Sequence, residues 1–365
     1  MKKVAICGGH LTPALALIEE LEKEKDVEVI FFGRKYSAEG TKIPSAEFKL
    51  ITEKNIKFIP INAGRLQRKF TRYSALALAK TPTGLAQSIV ALAREKPNVV
   101  VSFGGYVSLP VAFSAWLLRI KSISHEQSVI PGLATKINAK FSSRIFLSWQ
   151  KTADYFKNKK TTVIGNLTRR DVFSKKAASG DIQQFIAGAG NLIFATGGNQ
   201  GSHFINSLIS KSQNKLKDYR ILHQVGILNY KGDLDIAKEK SNSAYLPLAY
   251  LSNSDFGAAI NSAKIVIARS GANTVWELAT LAKVAVLIPL PISASGEQLA
   301  NARVLEEAGS AVILNQSETT PETLQSKIKS IEKNYSKYQK SAEILSTKMP
   351  KDAAEKLAKA VLGYT

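Results

Sequence analysis

The chain has 365 residues, 45% hydrophobic and 22% charged, with 50 Lys and Arg against 29 Asp and Glu, a formal net charge of +21. Apolar segments recur from end to end, which excludes disorder as the main state, and the length fits two domains at roughly 100–200 residues each. A single cysteine, Cys7, excludes a disulfide scaffold and a cysteine-based zinc site, and no apolar run reaches the roughly 18–20 residues that span a bilayer. Met1-Lys2-Lys3 ahead of an apolar stretch imitates a signal peptide. Gly8-Gly9-His10 interrupts that stretch and Glu19-Glu20 follow it, so the sequence predicts a cytosolic protein.

Short apolar strands alternate with amphipathic helices, twice over. Val4–Cys7 reads as a strand, Thr12–Glu24 as a helix, and Val27–Phe32, Ile56–Ile61 and Asn98–Phe103 as further strands, each a β-branched or aromatic run between turn residues. Val107–Leu118 reads as a helix, Ser122–His125 as a strand, and Pro131–Lys140 as a helix with proline at its start. Arg144–Leu147 and Thr161–Ile164 complete this half. Asn166–Gly190 loses strand character and collects Ser, Lys, Ala and Gly, as a linker does. The pattern restarts with strand Asn191–Ala195 and helix Ser202–Lys215. Strands follow at Arg220–Gln224, Ala244–Pro247, Ile265–Ala268, Val284–Ile288 and Ala311–Leu314, with helices at Asp255–Ser262, Asn273–Leu281 and Gln298–Glu307, then a helical tail broken at Pro350. Such alternation predicts an α/β protein with parallel sheets covered on both faces, and ligands at the carboxyl ends of the strands.

The charge is lopsided. Residues 1–170 hold 28 basic and 12 acidic side chains, a net of +16, and residues 171–365 hold 22 and 17, a net of +5. Within 54–153 there are 15 basic residues and only Glu95 and Glu126 are acidic. Arg65, Arg68, Lys69, Phe70, Arg72, Tyr73, Leu76, Leu78 and Lys80 set cations beside aromatic and leucine side chains, the composition of a patch that lies on an anionic membrane surface. Arg119 and Lys140 extend it, and Trp116 fits either this patch or a helix core. Nucleic acid shares the charge signature, but none of its recognition motifs accompanies it.

Gly8-Gly9, Gly104-Gly105 and Gly197-Gly198 each follow an expected strand. Glycine there lets backbone N–H groups approach a ligand, and a following helix N-terminus favours phosphate. Neither the dinucleotide fingerprint nor a P-loop is present, which argues against a dehydrogenase or a P-loop nucleotidase. His203 and His223 show no partner pattern, and no metal-ligand spacing exists. His125, directly after an apolar run, fits a structural role in orienting its loop.

Taken in order, Gly8-Gly9-His10-Leu11-Thr12-Pro13-Ala14, Gly104-Gly105-Tyr106-Val107-Ser108, His125-Glu126-Gln127-Ser128, Gly165-Asn166 with Arg169, Gly197-Gly198-Asn199-Gln200-Gly201, Arg269-Ser270-Gly271-Ala272 and Glu297-Gln298 with Asn301-Ala302 resemble the motifs of the MurG family. These are the N-acetylglucosaminyltransferases that complete lipid II in peptidoglycan synthesis, and through it serve cell shape and division. The resemblance covers about residues 1–315. It implies a GT-B fold, two Rossmann-like domains facing across a cleft. Residues 1–166 would be the acceptor and membrane-facing domain, 167–190 the linker, 191–345 the UDP-sugar domain, and 346–365 a helix packing back on the first domain.

The resemblance further implies an inverting transfer of N-acetylglucosamine from UDP-GlcNAc to a polyprenyl pyrophosphate lipid, at the cytoplasmic face of the membrane, with no cofactor, no metal and no nucleic acid. His10 would be the general base. Gly9, Gly104, Gly105, Glu126 and Ser128 would contact substrate, Arg169 and Asn199 the diphosphate, Leu251 and Ala272 the nucleotide and sugar, Glu277 the ribose, and Glu297 and Gln298 sugar hydroxyls. The first glycine loop is shorter than the family's, and Ser128, Leu167-Thr168, Asn199 and Glu297 stand where Asn, Pro-Val, Ser and Gln are usual. These departures bear on sugar and acceptor identity, so a transferase with another lipid acceptor or sugar, and a UDP-GlcNAc 2-epimerase on the same fold, stay open.

Overall fold

A computed structural model describes residues 2–37, 42–64, 72–177, 179–293 and 296–365, the side chains of 72–81 apart. Its contacts divide the chain into two units, residues 1–169 with Pro350–Thr365, and Arg170–Met349.

In the first unit, β1 (Lys2–Cys7), α1 (Leu11–Leu21), β2 (Val27–Gly33), α2 (Ala46–Glu53), β3 (Lys57–Pro60) and α3 (Arg72–Glu95) are followed by β4 (Val99–Ser102), α4 (Ser108–Leu117), β5 (Lys121–Glu126), α5 (Leu133–Asn138), β6 (Arg144–Leu147) and β7 (Thr161–Val163). The strands form one parallel sheet in the order β3-β2-β1-β4-β5-β6-β7. Alternate residues of β1 feed two cores. Val4 and Ile6 pack with Leu15, Leu17 and Ile18 of α1, while Ala5 and Cys7 pack with Leu92 of α3 and Val111 and Ala115 of α4. Burial on both faces is why the strands read as continuous apolar runs. It also pushes the Cys7 thiol up to about 12, which leaves it inert.

The second unit holds α6 (Gly180–Ala187), β8 (Asn191–Thr196), α7 (His203–Ser212), β9 (Tyr219–Gln224), α8 (Asp233–Glu239), β10 (Tyr245–Leu248) and α9 (Asn253–Ser262). β11 (Ile265–Ala268), α10 (Ala272–Thr280), β12 (Val284–Leu287), α11 (Glu297–Glu307), β13 (Ala311–Ile313), α12 (Pro321–Lys333) and α13 (Tyr335–Thr347) complete it. Its parallel sheet runs β10-β9-β8-β11-β12-β13. Ile205 and Ile209 of α7 and Leu324, Ile328 and Ile331 of α12 cover one face. The last helix, α14 (Ala353–Leu362), returns to the first unit, where Leu357 and Val361 join the core that α1 covers.

Among the described residues, four helices have no counterpart in the sequence expectation. The buried positions of α3 include Gly84, Ser88, Leu92 and Glu95. Their spacing is helical, yet two are small residues, so hydropathy does not reveal the face. A Cβ on Gly84 would stand 2.8 Å from the Asn62 carbonyl, which explains the small residue. α2 and α8 are short, at 8 and 7 residues, and α8 opens with two aspartates. α6 lies in the stretch read as linker, which from Arg170 onward packs in the second unit. There Asn261 Nδ2 donates to the Val172 and Ser174 carbonyls at 3.0 and 3.1 Å. Helix α7 ends at Ser212 and tightens into a 3-10 turn over Gln213–Lys215.

Candidate active site

In the first unit the turns after β1 and β4 interlock. Gly9 N donates to the Gly104 carbonyl at 3.0 Å. Gly8 has φ +133°, and a Cβ on it would meet the Gly104 oxygen at 2.6 Å; Gly105 has φ +74°, and a Cβ on it would meet Gly9 N at 2.6 Å. Only glycine permits backbones this close. Beneath them, buried Asn138 on α5 donates to Ser102 Oγ at 3.0 Å and Ser108 Oγ at 2.6 Å. Ser102 Oγ accepts from Gly104 N, and Ser108 Oγ donates to the Gly105 carbonyl at 2.7 Å. One asparagine thus ties down both ends of the second glycine turn, a role that an isolated polar residue in the sequence does not announce.

His10 caps α1 without spending its side chain on the cap, and it is exposed. Its ring lies over Gly104: a Cβ there would be 3.9 Å from His10 Nε2. The crowding of protein around it pulls its pKa below the usual imidazole value. The neutral ring is then the dominant form near pH 7, as proton abstraction requires.

His125 is buried on β5 and meets the Gly165 carbonyl at 3.1 Å through Nε2, fixing the turn that carries Asn166. Burial lowers it to about 4, only partly opposed by that hydrogen bond. The Glu126 carboxylate is likewise buried, accepting from Ser128 N at 3.0 Å and Gly132 N at 3.2 Å. Its observed work is to shape the loop, and Ser128 is buried within the same turn. Among the described residues, Arg169 Nε, which is buried, has no hydrogen-bond partner.

In the second unit, a cavity of about 910 Å³ opens at the carboxyl end of the sheet, walled by Gly197, Gly198, Gly201, Arg269, Gly271 and Gln298 among others. Two glycines again interlock: a Cβ on Gly201 (φ +91°) would meet the Val225 oxygen at 2.2 Å, and one on Gly226 (φ +107°) would meet Gly201 N at 2.3 Å. Arg269 braces the wall. Its guanidinium donates to Ser202 Oγ at 2.9 and 3.1 Å, Gln316 Oε1 at 2.7 Å, and the Ile288 and Pro289 carbonyls at 3.0 and 3.2 Å. These partners are all neutral. Burial lowers its pKa to about 10, so it stays charged and lends the cavity a positive field.

Gln298 lines this cavity, its Oε1 accepting from Leu290 N at 3.0 Å. Asn199 is exposed beside it, with Oδ1 held by Gln224 Nε2 at 3.0 Å. Leu251, Ala272 and Glu277 are buried along the loop before α9 and on α10, outside the wall of this cavity, and Glu297 is the first residue of α11. His203 and His223, which have no partner pattern in the sequence, do have partners in the fold. His203 Nδ1 lies 2.7 Å from Asp233 Oδ1, and His223 bridges Asn206 Oδ1 at 3.1 Å and the Tyr245 hydroxyl at 2.9 Å. The groups come from different strands and helices, so no linear spacing records them.

Of the basic patch, Arg65, Arg68, Lys69 and Phe70 lie outside the described residues, as do the side chains of Arg72, Tyr73 and Lys80. Trp116 on α4 is 53% exposed and packs at a tilt against Phe113 and Phe141, ring centroids 5.6 Å apart in each case. Among the described residues, no helix is long and apolar enough to cross a membrane, and no group of three or more potential ligands could hold a metal.

Two parallel-sheet units with glycine-built turns at the carboxyl ends of their strands are the architecture of the GT-B class. Residues 7–147 match the glycosyltransferase family 28 N-terminal domain and residues 192–357 the family 28 C-terminal domain. The chain is 33% identical over 335 residues to the UDP-N-acetylglucosamine–N-acetylmuramyl-(pentapeptide) pyrophosphoryl-undecaprenol N-acetylglucosamine transferase of Clostridium perfringens (strain SM101 / Type A), covering 91% of this chain and 89% of that one. It is 33% identical over 328 residues to the protein of the same name from Treponema denticola (strain ATCC 35405), covering 86% and 83%. The crystal structure of Acinetobacter baumannii MurG superposes with a TM-score of 0.75 over 100% of both chains at 22% identity. The chain belongs to the MurG family of N-acetylglucosamine transferases.

Proposed function

We propose that this protein transfers N-acetylglucosamine from UDP-GlcNAc to the muramyl-pentapeptide pyrophosphoryl polyprenol, lipid I, giving lipid II for peptidoglycan synthesis. The observation that carries this is the 33% identity to transferases of that name across 91% of the chain. The first unit takes the lipid acceptor and the second the nucleotide sugar. The acceptor hydroxyl attacks the anomeric carbon of the donor as the bond from that carbon to the diphosphate oxygen breaks. His10 accepts the hydroxyl proton, for which its exposed neutral ring suits it. The electron pair departs with UDP, whose charge the loop amides at Asn199, the Arg269 field and Arg169 stabilise. Glu277 holds the ribose, and Glu297 and Gln298 the sugar hydroxyls. The protein works peripherally on the anionic cytoplasmic face of the membrane, where the aromatic group around Trp116 and the basic residues of 54–153 meet lipid.

The test is turnover by purified protein of radiolabelled UDP-GlcNAc with a lipid I analogue in anionic vesicles. One lipid-linked disaccharide per UDP released is the expected result. Conversion of UDP-GlcNAc to its 2-epimer without acceptor would replace the transferase reading with the isomerase one. Turnover with UDP-glucose and diacylglycerol instead would move it to another acceptor and sugar.

A further inference from the structure

We propose that His203 is a diphosphate-binding residue of this chain, an imidazolium that a buried carboxylate presents to the phosphates of the nucleotide sugar. The inference rests on the donor reading above and extends it to a residue whose sequence context gives no sign of such a role.

His203 is the first residue of α7, directly after the glycine turn, and it lines the cavity. Its side chain is 40% exposed, so the ring reaches solvent, yet two partners fix it. Tyr230 packs edge-to-face against it, with centroids 5.4 Å apart, and Asp233 Oδ1 takes Nδ1 at 2.7 Å. Asp233 itself is 5% exposed and immobile, because its second oxygen accepts from Asn206 Nδ2 at 2.9 Å. Asn206 Nδ2 in turn donates to the Val225 carbonyl at 3.0 Å, and Asn206 Oδ1 meets His223. The chain of bonds therefore ends on the backbone beside Gly226, the partner of the glycine turn.

The loop that supplies Tyr230 and Asp233 is held in an unusual shape. Asn229 (φ 40°), Lys231 (φ 55°) and Gly232 (φ 72°) all lie in the left-handed region, which the lysine side chain disfavours. Such geometry persists where surrounding structure enforces it, as at ligand sites.

The chemistry follows from the direction of the ring. With Nδ1–H donated to the carboxylate, a neutral ring offers only a lone pair at Nε2, and a protonated ring offers an N–H. A phosphate placed by the glycine turn selects the protonated form, giving the sequence carboxylate, imidazolium, phosphate with alternating charge. Arg269 and Lys211 line the same cavity, and Lys231 lies 5.6 Å from the Tyr230 ring centroid. Asp233 is thus the acidic group facing the ring, and it is spent on Nδ1. A structural dyad alone would not need its imidazole on the cavity wall.

Calorimetric titration of the full-length protein with uridine, UMP and UDP tests this, using the parent and His203→Ala and His203→Lys. UDP affinity should fall roughly 10–100-fold in H203A, the loss of one charge-assisted hydrogen bond, with uridine affinity unchanged within about twofold. H203K should recover UDP binding to within about threefold, because it returns the charge without the dyad. Equal weakening of uridine and UDP would mean that His203 only props the fold. Unchanged UDP binding in H203A would mean that it touches no phosphate. Failure of the parent to bind any of the three would overturn the donor reading itself, and this inference with it.

Discussion

Acid should destabilise each unit through one buried histidine. His125 is 2% exposed and His223 is fully buried. Burial lowers the first to about 4 and the second to about 3, the latter despite the attraction of the Asp233 carboxylate. Unfolded, both titrate near 6.5. Between pH 6.5 and those values the unfolded chain holds the proton and the folded chain does not, so stability rises with pH across that window and levels off above it. At pH 5 the linkage costs about 2 kcal/mol per histidine relative to neutral pH, growing until the folded-state values are reached. Urea unfolding of the parent and His223→Gln, from pH 7.5 to 5.0, separates this from other titrations. Glu47, for example, is raised by burial and contributes with the opposite sign. Glutamine keeps hydrogen-bonding groups for Asn206 and Tyr245, so the variant should lose about 1–2 kcal/mol at neutral pH and lie much closer to the parent at pH 5. Parallel pH profiles for the two proteins would refute the reasoning, since removing a buried neutral imidazole must remove its proton linkage.

His10→Ala should lower kcat by roughly 10²–10⁴-fold with the melting temperature and the KM for UDP-GlcNAc little changed; a loss below about tenfold would place the base elsewhere. Because the His10 pKa is pulled below its ordinary value, the acid limb of kcat/KM should fall at lower pH than an ordinary imidazole gives, and a rate still climbing between pH 7 and 8 would contradict the assignment. Gly105→Ala puts a Cβ 2.6 Å from Gly9 N at φ +74°, and should destabilise the first unit by about 2–4 kcal/mol, read as a drop of several degrees in melting temperature. Arg269→Met leaves the Ile288 and Pro289 carbonyls, Ser202 and Gln316 without their common donor. It should cost about 2–5 kcal/mol and weaken UDP binding measured by titration.

Strands and glycine turns were legible because each answers to a local rule. Arg144–Leu147 and Ile265–Ala268 match the observed strands residue for residue, since apolar runs between turn residues have one simple explanation in a doubly covered sheet. The helix face built from Gly84 and Ser88 was not legible, because close packing there selects for small size rather than hydropathy. At the site, the ordered motifs pointed to Gly104, Arg269 and Gln298. They did not reveal that Glu126 is occupied by two amides of its own loop, or that Asp233 orients His203 across 30 residues of sequence. Side-chain pairing across a fold leaves no period in the chain.

The same construction occurs in both units. Interlocked glycines bring main-chain amides to the carboxyl ends of β1 and β4 in one unit and of β8 and β9 in the other. Turns without side chains have nothing to stiffen them, so the rigidity comes from below. Asn138 joins Ser102 to Ser108 in the first unit, and Asn206 joins Val225, Asp233 and His223 in the second. A buried asparagine suits this because its amide nitrogen donates twice, at Asn138 to two hydroxyls and at Asn206 to a carbonyl and a carboxylate, groups that would otherwise be stranded without water. Substituting either by leucine should therefore raise the KM for the ligand of that unit alone, acceptor for Asn138 and UDP-GlcNAc for Asn206, together with a stability loss of about 2–4 kcal/mol. Steady-state kinetics with each substrate varied in turn would check it. An equal rise in both KM values for either variant would mean that the two turns are not independently supported.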